Sequence, residues 1–400
     1  MRFGLRLWSF EVGGQVVCTS KSDYRQKHLL QLARRHVLFM QRPLFGRRHR
    51  FYSDVYARNQ RQMHFLRILR KQMSSPIHQS RGDLMKVLWI IALLVASLFA
   101  AKLQTPSMRY VASGVVTDMV VKEELLYVST DASRVDVFDL KSGKIVHNVQ
   151  IDKIKDFMGD EIDAKIFSVD VVDEKILILS QANQGYRRVY VYQNDATRLI
   201  IDESLALSIA KAKFLDKNTL LLVLLSDEII SYDIAKKRQN YRVSASASKF
   251  SDFVLNEDKT QVAVTDESGD VQLLNTRDGS RIKTFSGQNL DNVFKIDYKN
   301  SLIATAGQDR RVVIYDVNSS SSYYKLSSFF VYCVGLSPSG VLAAYSSDEN
   351  NNVTVFNTKT KSDLAVFTGN KITLSKILFL NENDFLVASD SHVINRYKIK

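Results

Sequence analysis

The sequence predicts an all-β fold, a seven-bladed β-propeller filling residues 108–400, and two observations predict it. The first is a strand-turn-strand phrase at 302–316, Leu-Ile-Ala-Thr-Ala-Gly-Gln-Asp-Arg-Arg-Val-Val-Ile-Tyr-Asp. Residues 302–306 are apolar with one Thr. Residues 307–311 form a turn in which Gly supplies unusual backbone angles and Asp bonds its own backbone. Residues 312–315 are β-branched and aromatic, and short apolar runs of this kind suit strands covered on both faces. The second observation is recurrence. Turn residues of the same type stand at Asp131, Asn183, Asp227, Asp266, Asp309, Asp348 and Asp390, at intervals of 52, 44, 39, 43, 39 and 42. A period of about 40–45 residues marks propeller blades. A β-sandwich with coincidental spacing is the competing architecture.

The blades follow in order. Blade one has expected strands at 117–121, 125–129, 134–138 and 145–151, with Lys141-Ser142-Gly143-Lys144 as a hairpin turn. The interval to blade two is long, and a mixed-charge loop at 152–165 fills it. That loop carries Phe157 and Met158, which either present a contact surface or tuck beneath the loop. Blade two covers 166–201 with a long turn at 181–188, and blade three covers about 210–243. Blade four uses 253–255, 261–265, 271–274 and 281–285. Blade five covers 293–326, blade six 333–367, and blade seven begins near Ser375 with only three strands before the last residue. The segment 109–113 is expected to supply the fourth and close the ring, which protects the sheet edges.

These phrases resemble WD40 repeats. Their third strands end on an aromatic-Asp pair at Phe138-Asp139, Tyr232-Asp233 and Tyr315-Asp316, never on Trp. The Gly-His pair that precedes a WD40 blade is represented by Gly287-Gln288 and Gly369-Asn370. The His of that family's buried His-Asp-Ser-Trp network is therefore missing. The resemblance implies a WD40-like propeller outside the strict eukaryotic pattern.

The chain before the propeller differs in composition. The net charge of +13 resides in residues 1–84, which hold 17 Lys and Arg against 4 Asp and Glu; residues 85–400 hold 38 of each sign. A charge-balanced propeller excludes nucleic acid as its partner. The basic segment reads in three ways: a lipid- or partner-binding region with an amphipathic stretch at 63–73, an Arg-rich transit peptide, or sequence upstream of a true start at Met85. The last is preferred because residues 85–101 read as a signal peptide: Lys86, an apolar run at 87–99 and the small residues Ala100-Ala101. The run is short for a spanning helix, which needs about 20 residues. Export would make the propeller periplasmic. The alternative is a single-pass anchor in the cytoplasmic membrane with the propeller facing the periplasm, and membrane contact is expected only if 87–101 stays uncleaved.

Little catalytic chemistry is legible. After Met85 the only His are His147 and His392 and the only Cys is Cys333, in an apolar context that reads as a buried strand thiol. No metal motif, phosphate loop, nucleophile elbow or cofactor motif is present, so no catalytic, metal or cofactor residue is assigned. The basic pairs Arg187-Arg188 and Arg310-Arg311 each follow a blade turn and join Phe157 and Met158 as candidate partner-binding residues, the bland reading being solvated turn charges.

One further resemblance spans 85–400. A signal peptide leading into a propeller that carries Lys155-Asp156-Phe157-Met158-Gly159-Asp160, Phe285-Ser286-Gly287-Gln288-Asn289, Asp291-Asn292-Val293 and Ala306-Gly307-Gln308-Asp309-Arg310-Arg311 resembles the NapL family. These are accessory proteins encoded with periplasmic nitrate reductases. The resemblance implies a soluble, non-catalytic periplasmic protein that binds a nitrate reductase component and supports its maturation or activity, and it supplies no catalytic residues. The chain is expected to be a monomer. Two alternatives stand beside this: a membrane-tethered protein-binding scaffold, and a lactonase-like propeller enzyme, which would need a polar pocket with shifted carboxylates near the channel mouth.

Overall fold

The computed structural model describes residues 103–400 and, before them, a two-residue ladder between Glu11–Val12 and Gln15–Val16. Apart from that ladder, the basic segment 1–84 with its stretch at 63–73 and the export segment 85–101 lie outside the described residues. Among the described residues no helix is long and apolar enough to cross a membrane.

Seven antiparallel sheets occupy 116–150, 166–201, 209–244, 250–285, 293–326, 334–367 and 374–398, each with its strands in sequence order. They are the seven expected blades. Within each, the two middle strands are almost wholly buried, as in Thr219–Leu224 and Glu228–Asp233 of blade three. Their continuous apolar runs arise because neighbouring blades cover both faces. The outer strands are mostly exposed, as in Ile145–Gln150 and Arg238–Ser244. Packing between blades divides into seven apolar clusters, most joining adjacent blades; one packs Phe367 edge-on to both Phe385 and Tyr397, with ring centroids 4.9 and 5.3 Å apart.

Ring closure follows the expectation, shifted slightly towards the start of the chain. Met108–Val111 pairs antiparallel with Val393–Lys398 as the fourth strand of blade seven. The Tyr110 hydroxyl and the Arg396 guanidinium both donate to the carbonyl of Leu140 in blade one, at 2.8 and 3.0 Å. The first and last blades are thereby tied at one carbonyl. Upstream, Leu103–Gln104 adds a parallel fifth strand to blade six.

Strand alternation defines two faces. The second-to-third-strand turns and the connections between blades share one end with the starts of the inner strands; we call this the upper face. Two local differences from the sequence reading occur there. The 152–165 loop contains its own small hairpin, Ile154–Lys155 paired with Glu161–Ile162. Cys333 lies just before the strand Val334–Leu336 rather than in it, fully buried, and burial pushes its thiol up to about 12.

A buried polar network that motif matching did not locate lies beside the Gly287-Gln288 pair. In blade five Asn289, one residue beyond the expected Gly-x pair, donates to the Tyr315 hydroxyl at 2.9 Å and accepts from Thr305 at 3.1 Å. Asn289, Thr305 and Tyr315 thus make a buried polar network within blade five. In blade seven Asn370 accepts from Tyr397 and Asn395.

Candidate functional site: the upper face and the central channel

The upper face presents apolar side chains. Asp156 builds the tip of the small hairpin by accepting the backbone N–H groups of Met158 and Asp160 through Oδ1, at 2.8 and 2.9 Å. Gly159 takes φ +92°, which favours Gly. The result is a turn that holds Phe157 at 93 % and Met158 at 73 % exposure, so the tucked-under arrangement does not occur. On the same face Leu205, Leu290, Phe330 and Ile372 are also exposed. Phe294 and Tyr332 stack at 5.6 Å, with Phe329 and Phe330 beside them.

The basic pairs lie at the upper ends of blades two and five. They do not converge, being three blades apart. Arg188 makes a two-point pair with Glu203 at 2.7 and 2.5 Å. Arg187 stacks its guanidinium over Phe167 at 4.0 Å and donates to the carbonyls of Gly185 and Tyr186. Arg311 donates to the Gln288 carbonyl at 2.5 Å and lies over Tyr324 at 4.1 Å. Arg310 is exposed, at φ +64°. Three of the four guanidiniums are thus engaged within the propeller.

Sequence reasoning missed the channel. Six of the seven inner strands carry a β-bulge near their start, between pairs such as Val116/Asp118 and Val293/Lys295. A bulge re-aims the following side chain. Asp118, Ser168, Lys211, Asp252, Lys295 and Lys376 follow these bulges, and Asp170, Lys213 and Asp297 come two residues later in their strands. All line one cavity of about 400 Å³ along the propeller axis.

The channel charges lace the blades together. Asp118 accepts Nζ of Lys376 at 2.5 Å, Nζ of Lys213 at 3.3 Å and the N–H of Val169 in blade two at 3.2 Å. Asp170 accepts the N–H of Phe214, Asp252 that of Ile296, and Asp297 that of Leu336, each in the following blade. The ammonium groups bridge as well: Lys211 reaches Asp252 and the Phe253 carbonyl, both at 2.7 Å, and Lys376 reaches the Met119 carbonyl at 2.7 Å. Only blades six and seven lack such a link among the described residues. There Gly335 meets Ile377 so closely that a Cβ would lie 2.9 Å from the Ile377 carbonyl oxygen.

Protonation follows this geometry. Burial raises the Asp118 carboxyl, but Lys213, Lys376 and Lys211 outweigh it and hold it far below the usual carboxylate range. Asp252 is lowered in the same way, against burial, by Lys211 and Lys295. Burial, helped by Lys213 and Lys211, outweighs Asp118 at Lys376 and brings that ammonium down to about 8. No group of three or more His, Cys, Asp or Glu among the described residues is placed to hold a metal.

The signal for the channel was charge inside apolar first strands: Thr117-Asp118-Met119, Ala210-Lys211-Ala212-Lys213, Ser251-Asp252-Phe253, Lys295-Ile296-Asp297 and Ser375-Lys376-Ile377. No family model and no curated protein matches this chain.

Proposed function

We propose that this chain is a non-catalytic protein-interaction propeller that docks its partner on the upper face. The observation that carries this is the hairpin tip, a built turn whose purpose in packing is nil: Phe157 and Met158 bury almost nothing within the propeller. Large apolar side chains held in water are the pattern of an interaction site, and aromatic and Met side chains are enriched at such interfaces.

The channel supports the same reading over the lactonase-like one. It is polar, and its carboxylates Asp118 and Asp252 are shifted, but downward, by ammonium partners. A general acid at neutral pH needs a carboxyl raised towards 7. Depressed carboxylates paired to lysines suit ion pairs that hold the ring.

The partner we propose is a component of a periplasmic nitrate reductase, with the propeller exported to that compartment. The resemblance of 85–400 to the NapL family supports this, and all four of its segments, around Phe157, at 285–289, at 291–293 and around Gly307 to Arg311, lie at the upper face. The test is binding of the full chain to the purified reductase and its electron-transfer subunit. The double variant Phe157→Asp/Met158→Asp is expected to bind at least about tenfold more weakly, as removal of a central apolar anchor does, with its melting temperature unchanged. A wild-type chain that binds neither component would overturn the choice of partner. A double variant that binds as tightly as wild type would overturn the docking face.

A further inference from the structure

We propose that the central channel binds a small oxyanion, a carboxylate or a phosphate, at Lys295. The case begins with an inventory of donors and acceptors in the cavity. Each channel aspartate accepts a backbone N–H, and Asp118 and Asp252 also accept ammonium groups. Lys211, Lys213 and Lys376 each spend their protons on a carboxylate and a backbone carbonyl. Lys295 is the exception. It lines the same cavity, is partly buried, and among the described residues its side chain makes no ion pair or hydrogen bond, its charge being felt at longer range by Asp252. An ammonium carries three donors and no acceptor, so the uncommitted capacity of the channel is donor capacity with a positive charge. A ligand that completes it must supply acceptors and negative charge.

The surroundings point the same way. The cavity lining holds six lysines, Lys211, Lys213, Lys259, Lys295, Lys299 and Lys376, against the acids Asp118, Asp170, Asp252, Glu257 and Asp297. One cation is therefore in excess. In blade six the register places the uncharged Cys333 opposite Ser346, where Lys295 of blade five stands opposite Ala306, and Gly335 where blade five has Asp297, so blade six brings no carboxylate to Lys295. At the upper end Arg187 lies over Phe167, a residue of the cavity wall, and its buried Nε has no partner. A cavity of about 400 Å³ accommodates a ligand of several heavy atoms, within the usual range for small-molecule pockets.

The test uses the full chain at constant ionic strength, titrated separately with inorganic phosphate and with succinate and followed by calorimetry. One of the two is expected to bind with a dissociation constant at or below about 1 mM. Lys295→Met is expected to weaken that binding at least about tenfold, equivalent to about 1.4 kcal/mol, while Lys295→Arg retains it. The control Lys141→Met, on an exposed turn, should leave it unchanged. Phosphate binding alone identifies a phosphate site, and succinate binding alone a carboxylate site. The proposal is overturned if neither anion binds wild type at about 10 mM, ten times the expected constant, or if Lys295→Met binds as well as wild type. None of these outcomes bears on docking at Phe157.

Discussion

Asp118→Ala is expected to lower the unfolding free energy by about 3–5 kcal/mol, the cost of removing one partner from a buried ion pair. Asp118 is 6 % exposed and is the shared partner of Lys213 and Lys376, which reach it from blades three and seven. Without it, Lys213 keeps Asp170 at 3.9 Å, but Lys376 retains only a backbone carbonyl. Lys376 then loses the carboxylate that offsets its burial, and its amine is left in the channel with a single acceptor. Adding Lys376→Met should recover a large part of the loss, because replacing both members of a buried pair by apolar groups is far less costly than removing one. Urea unfolding of the two variants beside wild type measures this. A single variant within about 1 kcal/mol of wild type, the size of an exposed pair, would show that the channel network does not hold the ring. The sign with pH is fixed by the depressed carboxyl: the stabilisation is present above the ordinary aspartate value of 3.8 and is lost as pH falls below it towards the folded value.

Asp227→Asn is expected to act in the opposite direction and stabilise the chain. Asp227 is fully buried in the upper turn of blade three, and neither carboxylate oxygen has a hydrogen-bond partner. Burial, with Asp266 nearby, raises its carboxyl from 3.8 to about 6, although Ser246 and Arg281 offset part of the effect. At neutral pH the group is charged at a cost of about 2–3 kcal/mol, the free-energy equivalent of that rise. A raised folded value means that stability falls as pH climbs from 3.8 through about 6. The variant should therefore exceed wild type by about 2–3 kcal/mol at pH 7 and match it near pH 3.5, below both carboxyl values. Asn tolerates the left-handed backbone at this position, φ +62°. Equal stability of the two proteins at pH 7 would contradict the account of this turn.

These two aspartates show what the sequence made legible and what it did not. The blades were legible because each repeats a local pattern: a short apolar run, a turn residue, a second run. Asp227 was recognised as a turn residue, as were Asp131 and Asp309, yet their roles differ. Asp131 accepts the N–H of Val115, and Asp309 accepts those of Leu290 and Arg311. Asp227 makes no such bond, and the residue type at the turn does not announce that difference. The channel was harder still. Asp118 and Lys376 are 258 residues apart, and the ring brings them together only on closure. The Arg pairs illustrate the reverse case. Adjacent charges in sequence resemble a binding patch, but Glu203, Phe167 and the Gln288 carbonyl engage three of them internally.

The most direct test of the docking face is site-specific photocrosslinking in nitrate-respiring cells, with a photoreactive residue placed at Phe157 or, on the opposite face, at Lys141. The account predicts a covalent adduct with a periplasmic nitrate reductase component from position 157 and none from position 141. Adducts of equal yield from both positions, or none from 157 while the protein is present and folded, would contradict it.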